Sequence, residues 1–249
     1  MPLSRDTRQR VKRAAEAARL DRPARWAWEA THPGVRRDRL HMRNFELLLA
    51  FTVRADGNCV DVGAHSGELL RHMVRLAPAG RHLAFEPLPA FADQLRRDHP
   101  GVEVHQVALW DEPGTTTFQH VAEEPAYSGL RRQRYPGRYE PEEMAVETAR
   151  LDDVLPAGYV PALLKIDVEG AEGHVLTGAL QTIERHRPAI WFEHMPESAA
   201  TFGTTSAGVH AMLTGAGLRV FDAEGGGPHS RGAFEDSLAR GVHNFLARQ

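Results

Sequence analysis

Short apolar runs alternate along this chain with stretches in which apolar residues recur every three or four positions. The runs Cys59–Val62, Leu83–Phe85, Val102–Leu109, Ala162–Asp167, Ala189–Phe192, Leu218–Phe221 and Asn244–Ala247 have the length and bounding turn residues of buried strands. Between them the period lengthens, predicting helices near Glu68–Leu76, after Pro89, across Ala171–Arg185 and over Ser206–Gly215. In the third of these Ala171, Val175, Ala179, Leu180 and Ile183 share one face. Strands joined by helical crossovers make a mostly parallel sheet covered on both faces, the doubly wound α/β class. Seven strands ending in a hairpin would complete it.

Two segments stand outside this alternation. Residues 1–55 are predicted as an N-terminal helical extension, with helices over 5–20 and over His41–Val53, and residues 56–249 as the domain that carries the chemistry. Within that domain Thr115–Val121 and Ala145–Leu151 alternate as a strand pair across an insertion at 122–144. The insertion is too long and too aromatic for a plain connector. Its Tyr127, Arg131, Arg132 and Tyr135 are candidate substrate-binding residues on a lid.

Composition narrows the setting without altering the architecture. In 249 residues the net charge is −3 and 42% are hydrophobic, which is ordinary for a globular protein and gives no basic stripe for nucleic acid. No 18-residue apolar run is present, and the basic N-terminus continues into Ala14-Ala15-Glu16 rather than a signal-peptide core, so neither membrane nor export is expected. Cys59 is the only cysteine; with no intrachain disulfide available, a reducing cytoplasm fits.

In a doubly wound sheet ligands bind beyond the carboxyl ends of the strands, where strand order reverses. The first strand end carries Asp61-Val62-Gly63-Ala64-His65-Ser66-Gly67-Glu68, an acid and two glycines at a strand-to-helix turn. The spacing is not the three-glycine dinucleotide fingerprint. Asp61 would repel a pyrophosphate but suits a cofactor bearing an amino group and a sulfonium. Glu86, ahead of Pro87, ends the second strand about twenty residues on, where an acid reaches ribose hydroxyls. Ala108 and Leu109 would offer an apolar slot for adenine.

Lys165-Ile166-Asp167-Val168-Glu169-Gly170-Ala171-Glu172 concentrates carboxylates at a later strand end, and Glu193-His194 adds an acid and an imidazole at the next. Burying Asp167 without a partner would be costly. Asp167, Glu193 and His194 are therefore read as a candidate site for Mg²⁺, Mn²⁺ or Fe²⁺. The alternative is a metal-free site in which His194 or Glu169 takes the substrate proton; Asp167, Glu169 and His194 are the candidate catalytic set. Glu172 reads as a favourable charge at a helix N-terminus.

From Val60 to Glu172 the chain resembles the FkbM family of methyltransferases. The matches are Val60 to Glu68, Phe85-Glu86-Pro87 and, most specifically, Lys165 to Glu172, with weaker likeness through Phe192-Glu193-His194 to Asn244-Phe245. The resemblance implies a class I methyltransferase fold, Rossmann-like, with S-adenosyl-L-methionine as cofactor and O-methylation in secondary metabolism or glycan decoration. The strand-end acids are also similar to those of cation-dependent O-methyltransferases of the catechol type, with His194 in place of their Asn. The implied partner is a small-molecule acceptor, with neither nucleic acid nor membrane, and homo-oligomerisation is left open. The rival readings are N-methyl transfer, a nicotinamide-dependent oxidoreductase and a non-catalytic S-adenosylmethionine-binding module.

Overall fold

The computed structural model describes residues 33–121, 128–130 and 140–249. The helix predicted over 5–20 and the candidate lid residues Tyr127, Arg131, Arg132 and Tyr135 lie outside the described residues. The strands are β1 (Asn58–Val62), β2 (Leu83–Phe85), β3 (Glu103–His105), β4 (Ala108–Leu109), β5 (Gly114–His120), β6 (Glu142–Ala149), β7 (Pro161–Ile166), β8 (Ala189–Glu193), β9 (Arg219–Asp222) and β10 (Asn244–Arg248). The helices are α1 (Pro33–Thr52), α2 (Leu70–Leu76), α3 (Pro89–Asp98), α4 (Leu151–Val154), α5 (Glu172–Gly178), α6 (Leu180–His186), α7 (Pro196–Thr201), α8 (Ser206–Gly215) and α9 (Arg231–Ala239).

Seven strands form one sheet in the order β3-β2-β1-β7-β8-β10-β9, parallel except for β10, which is antiparallel to both neighbours. This is the doubly wound sheet that the alternation predicts. Its order reverses between β1 and β7. The central strands are apolar on both faces because each face carries its own core. Val60, Val62, Leu164, Ile166, Ile190 and Phe192 belong to one cluster, with α5, α8 and α9. The intervening Cys59, Leu163 and Trp191 belong to the other, with Phe45, Leu49 and Met73. That parity decides below which side chains can meet.

Packing divides the chain into residues 1–43 and 44–249. Phe45 and Leu49 of α1 are fully buried in the second unit's core. Among the described residues no helix is long and apolar enough to cross a membrane.

Three elements differ from the sequence reading. The run Val102–Leu109 is two strands: β3 closes the main sheet, while β4 pairs with β6 in a separate three-stranded sheet, order β4-β6-β5. The helix over Ala171–Arg185 breaks into α5 and α6 at Ala179, where the Asp152 carboxylate accepts from the Gln181 and Thr182 amides and caps the second piece. Helix α9 fills the connection between the last two strands, where the sequence reading has only a hairpin. Its cap Ser230 accepts from the Ala233 amide, and it buries Phe234, Ser237 and Leu238.

Candidate active site

Register brings the predicted strand ends into one row. Phe85 pairs with Val62, Val62 with Ile166, and Ile166 with Phe192. The next residues along these four strands are Glu86, Gly63, Asp167 and Glu193, side by side at the carboxyl edge where strand order reverses. By parity all four share the sheet face of Cys59, Leu163 and Trp191.

The glycine turn is tied to its neighbours by backbone. Gly63 and Ala64 donate to the Phe85 carbonyl at 3.0 and 3.2 Å, and Asp167 N donates to the Val62 carbonyl at 3.2 Å. Gly63 (φ 71°) and Gly67 (φ 78°) adopt left-handed backbone. A β-carbon on Gly67 would stand 2.8 Å from Leu95, so this glycine lets α3 close on the turn. His65 (φ 47°) packs its ring 4.0 Å from that of Phe91, Ser66 is exposed, and Ala64 is buried.

Glu86 is buried, and its two oxygens accept from the His65 amide at 2.8 Å and the Leu88 amide at 2.9 Å. Burial pushes this carboxyl above its ordinary range, against the pull of the two amides. It straps the turn to the end of β2, with half-buried Pro87 between the tied residues. An ionised carboxylate offers about four lone-pair sites, so about two remain for a diol. Glu86→Ala is expected to weaken S-adenosylmethionine binding about tenfold or more and to lower stability as well, since charge-assisted bonds contribute about 1.5–3 kcal/mol each. Calorimetry that finds unchanged affinity in the folded variant refutes the assignment.

Asp61 does not reach into the crevice as the sequence reading expects. Its side chain is 1% exposed and lies 2.9 Å from Lys165 Nζ, which also donates to the carbonyls of Val62 (3.2 Å) and Gly63 (2.6 Å). Burial pushes the Asp61 carboxyl up while the ammonium pulls it down. Burial likewise opposes the Lys165 charge, yet Asp61 and Asp167 hold its pKa above the ordinary value. The 2.9 Å approach favours the ionised pair, because an ammonium held on two carbonyls and a carboxylate is stabilised in its charged form. Lys165 is the partner the sequence reading missed. A lysine inside an apolar strand was the available signal; its register with Asp61 comes from the sheet. Ala108 and Leu109 are also buried, Ala108 with Leu88, Phe118 and Val146, and Leu109 in the main core. Their side chains are part of the packing.

The carboxylates of Asp167, Glu169 and Glu193 converge: one oxygen from each lies within 4.8 Å of the other two. Glu169 reaches in from a left-handed residue (φ 57°) followed by Gly170 (φ 105°), whose added β-carbon would meet Ser198 of α7 at 2.7 Å. Burial, then the charges of Asp167 and Glu169, push the Glu193 carboxyl up to about 9.

The residues match the family model for the methyltransferase FkbM domain over 61–220, more than half the chain. The chain belongs to the FkbM methyltransferase family. It is 32% identical over 147 residues to Methyltransferase 1 of Beauveria bassiana, covering 49% of this chain and 58% of that one. It is 26% identical over 175 residues to the 2-O-methyltransferase NoeI of Sinorhizobium fredii, covering 62% and 70%. The solved FkbM methyltransferase of Methylobacillus flagellatus matches at 16% identity with TM-score 0.47, over 78% of this chain and 44% of that one. The first of these relatives thus extends well beyond the region it shares with this chain.

In this FkbM domain His194 stands apart from the acids, correcting its expected place among metal ligands and catalytic groups. Adjacent strand residues point to opposite faces, so Glu193 and His194 separate. The His194 ring, fully buried, stacks on Phe234 with centroids 5.9 Å apart. Its Nε2 pairs with Ser206 Oγ at 3.0 Å, and its Nδ1 faces Glu172 Oε2 at 3.8 Å. Glu172 is buried too, its Oε1 accepting from Gly170 N at 2.9 Å. It therefore braces the acid loop from beneath as well as beginning α5. His194→Ala is expected to destabilise by about 3 kcal/mol, through a cavity and a buried carboxylate left facing it. Denaturant unfolding checks this; a loss under about 1 kcal/mol would show that Glu172 does not depend on His194.

Proposed function

We propose that this chain is an S-adenosyl-L-methionine-dependent O-methyltransferase acting on a hydroxyl of a small natural product or sugar-containing metabolite. The observation that carries the reading is the row at the sheet's carboxyl edge. It sets a glycine turn one strand, and a diol-accepting Glu86 two strands, from a cluster of three carboxylates. Transfer to oxygen is supported by the relative named as a 2-O-methyltransferase.

The residues suit the cofactor. Left-handed glycines keep the turn free of side chains, and Glu86 retains acceptor capacity beyond its two amides. When bound, S-adenosylmethionine supplies an electrophilic methyl group. The chain's own part is to hold the acceptor oxygen in line with it, and alignment of two bound reactants lowers a barrier by about 7–11 kcal/mol. The acceptor proton passes to a carboxylate oxygen of Asp167 or Glu169. Asp167, 41% exposed, is open to the crevice.

The acid cluster also suits a divalent cation. Three crowded carboxylates, one of them pushed up to about 9, carry negative charge that a dication would offset. With the imidazole elsewhere the set is all oxygen, which favours Mg²⁺ or Mn²⁺ over Fe²⁺. A second reading keeps the site metal-free, with a proton shared between the neighbouring carboxyls of Glu193 and Asp167. Methyl transfer from radiolabelled S-adenosylmethionine to a panel of hydroxyl and amine acceptors tests the function. Label on oxygen supports it, label only on amines gives N-methyl transfer, and binding with no transfer to any acceptor leaves a cofactor-binding module.

A further inference from the structure

Of the four large hydrophobic residues that are exposed among the described residues, three lie on one helix. Leu40 (42% exposed), Leu47 (45%) and Phe51 (84%) recur on α1 at intervals of seven and four, so the helical period sets them in one line. From Leu40 to Phe51 that line runs about 16 Å. Arg39, Arg43 and Ala50 are exposed on the same helix. The opposite side of α1 faces the core, where His41, Phe45 and Leu49 are buried. A surface helix ordinarily shows water its polar side. Helix α1 instead turns a phenylalanine and two leucines outward.

Charge is unevenly placed as well. The net charge of −3 conceals a division: residues 1–54 hold thirteen lysines and arginines against six acids, a net +7, and the rest of the chain carries −10. The exposed apolar line therefore belongs to the basic part of an otherwise acidic protein.

These two properties together select an occupant. Exposed leucine and phenylalanine among arginines is the composition of a helix that lies in the plane of a lipid interface. A second copy seated on this line would bring two basic segments together. A nucleic acid would pair with the arginines through its phosphates but give the leucines no apolar partner.

We propose that the outer side of α1 docks on an anionic lipid bilayer, with Leu40, Leu47 and Phe51 entering the boundary between headgroups and acyl chains. The basic residues draw the chain to the anionic surface over about a Debye length, and burial of the three side chains holds it there. The contact is peripheral, since no described helix is long and apolar enough to cross. None of the three side chains belongs to the cofactor turn or the acid cluster, so the contact can be removed without touching either.

Flotation of the full chain with vesicles of phosphatidylcholine, alone or mixed with phosphatidylglycerol, tests the proposal. The chain should float with the mixed vesicles at low salt, stay behind with phosphatidylcholine alone, and be released as salt rises. Phe51→Asp should lower the partition coefficient about tenfold or more, and Phe51→Trp should bind as the parent does. Arg39→Glu combined with Arg43→Glu should abolish the preference for phosphatidylglycerol. All these positions are exposed, so thermal unfolding should be unchanged in each variant. No flotation with the mixed vesicles at low salt overturns the proposal, as does flotation that Phe51→Asp leaves unchanged. Dimerisation or DNA binding that Phe51→Asp abolishes, in a chain that does not float, overturns it in favour of a second copy or a nucleic acid.

Discussion

Exhaustive chelation is expected to abolish methyl transfer while leaving S-adenosylmethionine affinity unchanged, and added Mg²⁺ or Mn²⁺ to restore turnover. The cofactor turn and Glu86 lie on β1 and β2, whereas the carboxylates that would hold a cation come from β7, β8 and the loop after β7. Removing the cation should therefore disturb the acceptor side alone. Asp167→Asn, Glu169→Gln and Glu193→Gln should each lower kcat by about 10²-fold or more while remaining folded, since each removes a carboxyl group that could ligate a cation or take a proton. His194→Gln should not share that metal-dependent loss, because its ring lies on the opposite face of the sheet. Turnover that survives chelation, with no metal by elemental analysis, assigns proton removal to the carboxylates without a cation.

Gly63→Val should unfold or severely destabilise the chain, by more than about 3 kcal/mol. A β-carbon at this position would lie 1.9 Å from the Asp167 carbonyl oxygen, on a residue with φ 71°. The clash is with backbone, so no rotamer change relieves it. It also falls where β1 meets β7, at the reversal of strand order. The glycine thus serves the junction that forms the crevice as much as any ligand in it. Thermal unfolding of Gly63→Ala and Gly63→Val measures the effect, and native stability in both would mean that the two strand ends can part. Gly67→Ala should cost less, because its nearest obstruction is the end of a leucine side chain.

The sheet was legible because its strands are short apolar runs between helical periods, and a parallel sheet buried on both faces leaves that signature. Glu86 and the glycine turn were legible for a similar reason, since a strand end followed by a turn is a local feature. The division of Val102–Leu109 between two sheets was not, because β4 is defined only by its distant partner β6. Helix α9 was marked by Ser230 ahead of Phe234, Ser237 and Leu238, but the apolar strand runs on either side of it read as a hairpin.

By itself the sequence determined the order of elements, the doubly wound class and the strand ends at which chemistry gathers, because period and turn residues act over a few positions. Only the tertiary structure decided which of those groups meet. Strand register placed Lys165 against Asp61, and residue parity sent Glu193 to one face and His194 to the other. The left-handed turn at Glu169 and Gly170 completed the acid cluster with a residue from outside the strands. Parity follows locally once β8 is known to run through Glu193, but register is a relation between segments far apart in the chain, fixed by the packing of both faces at once, and no local window contains it.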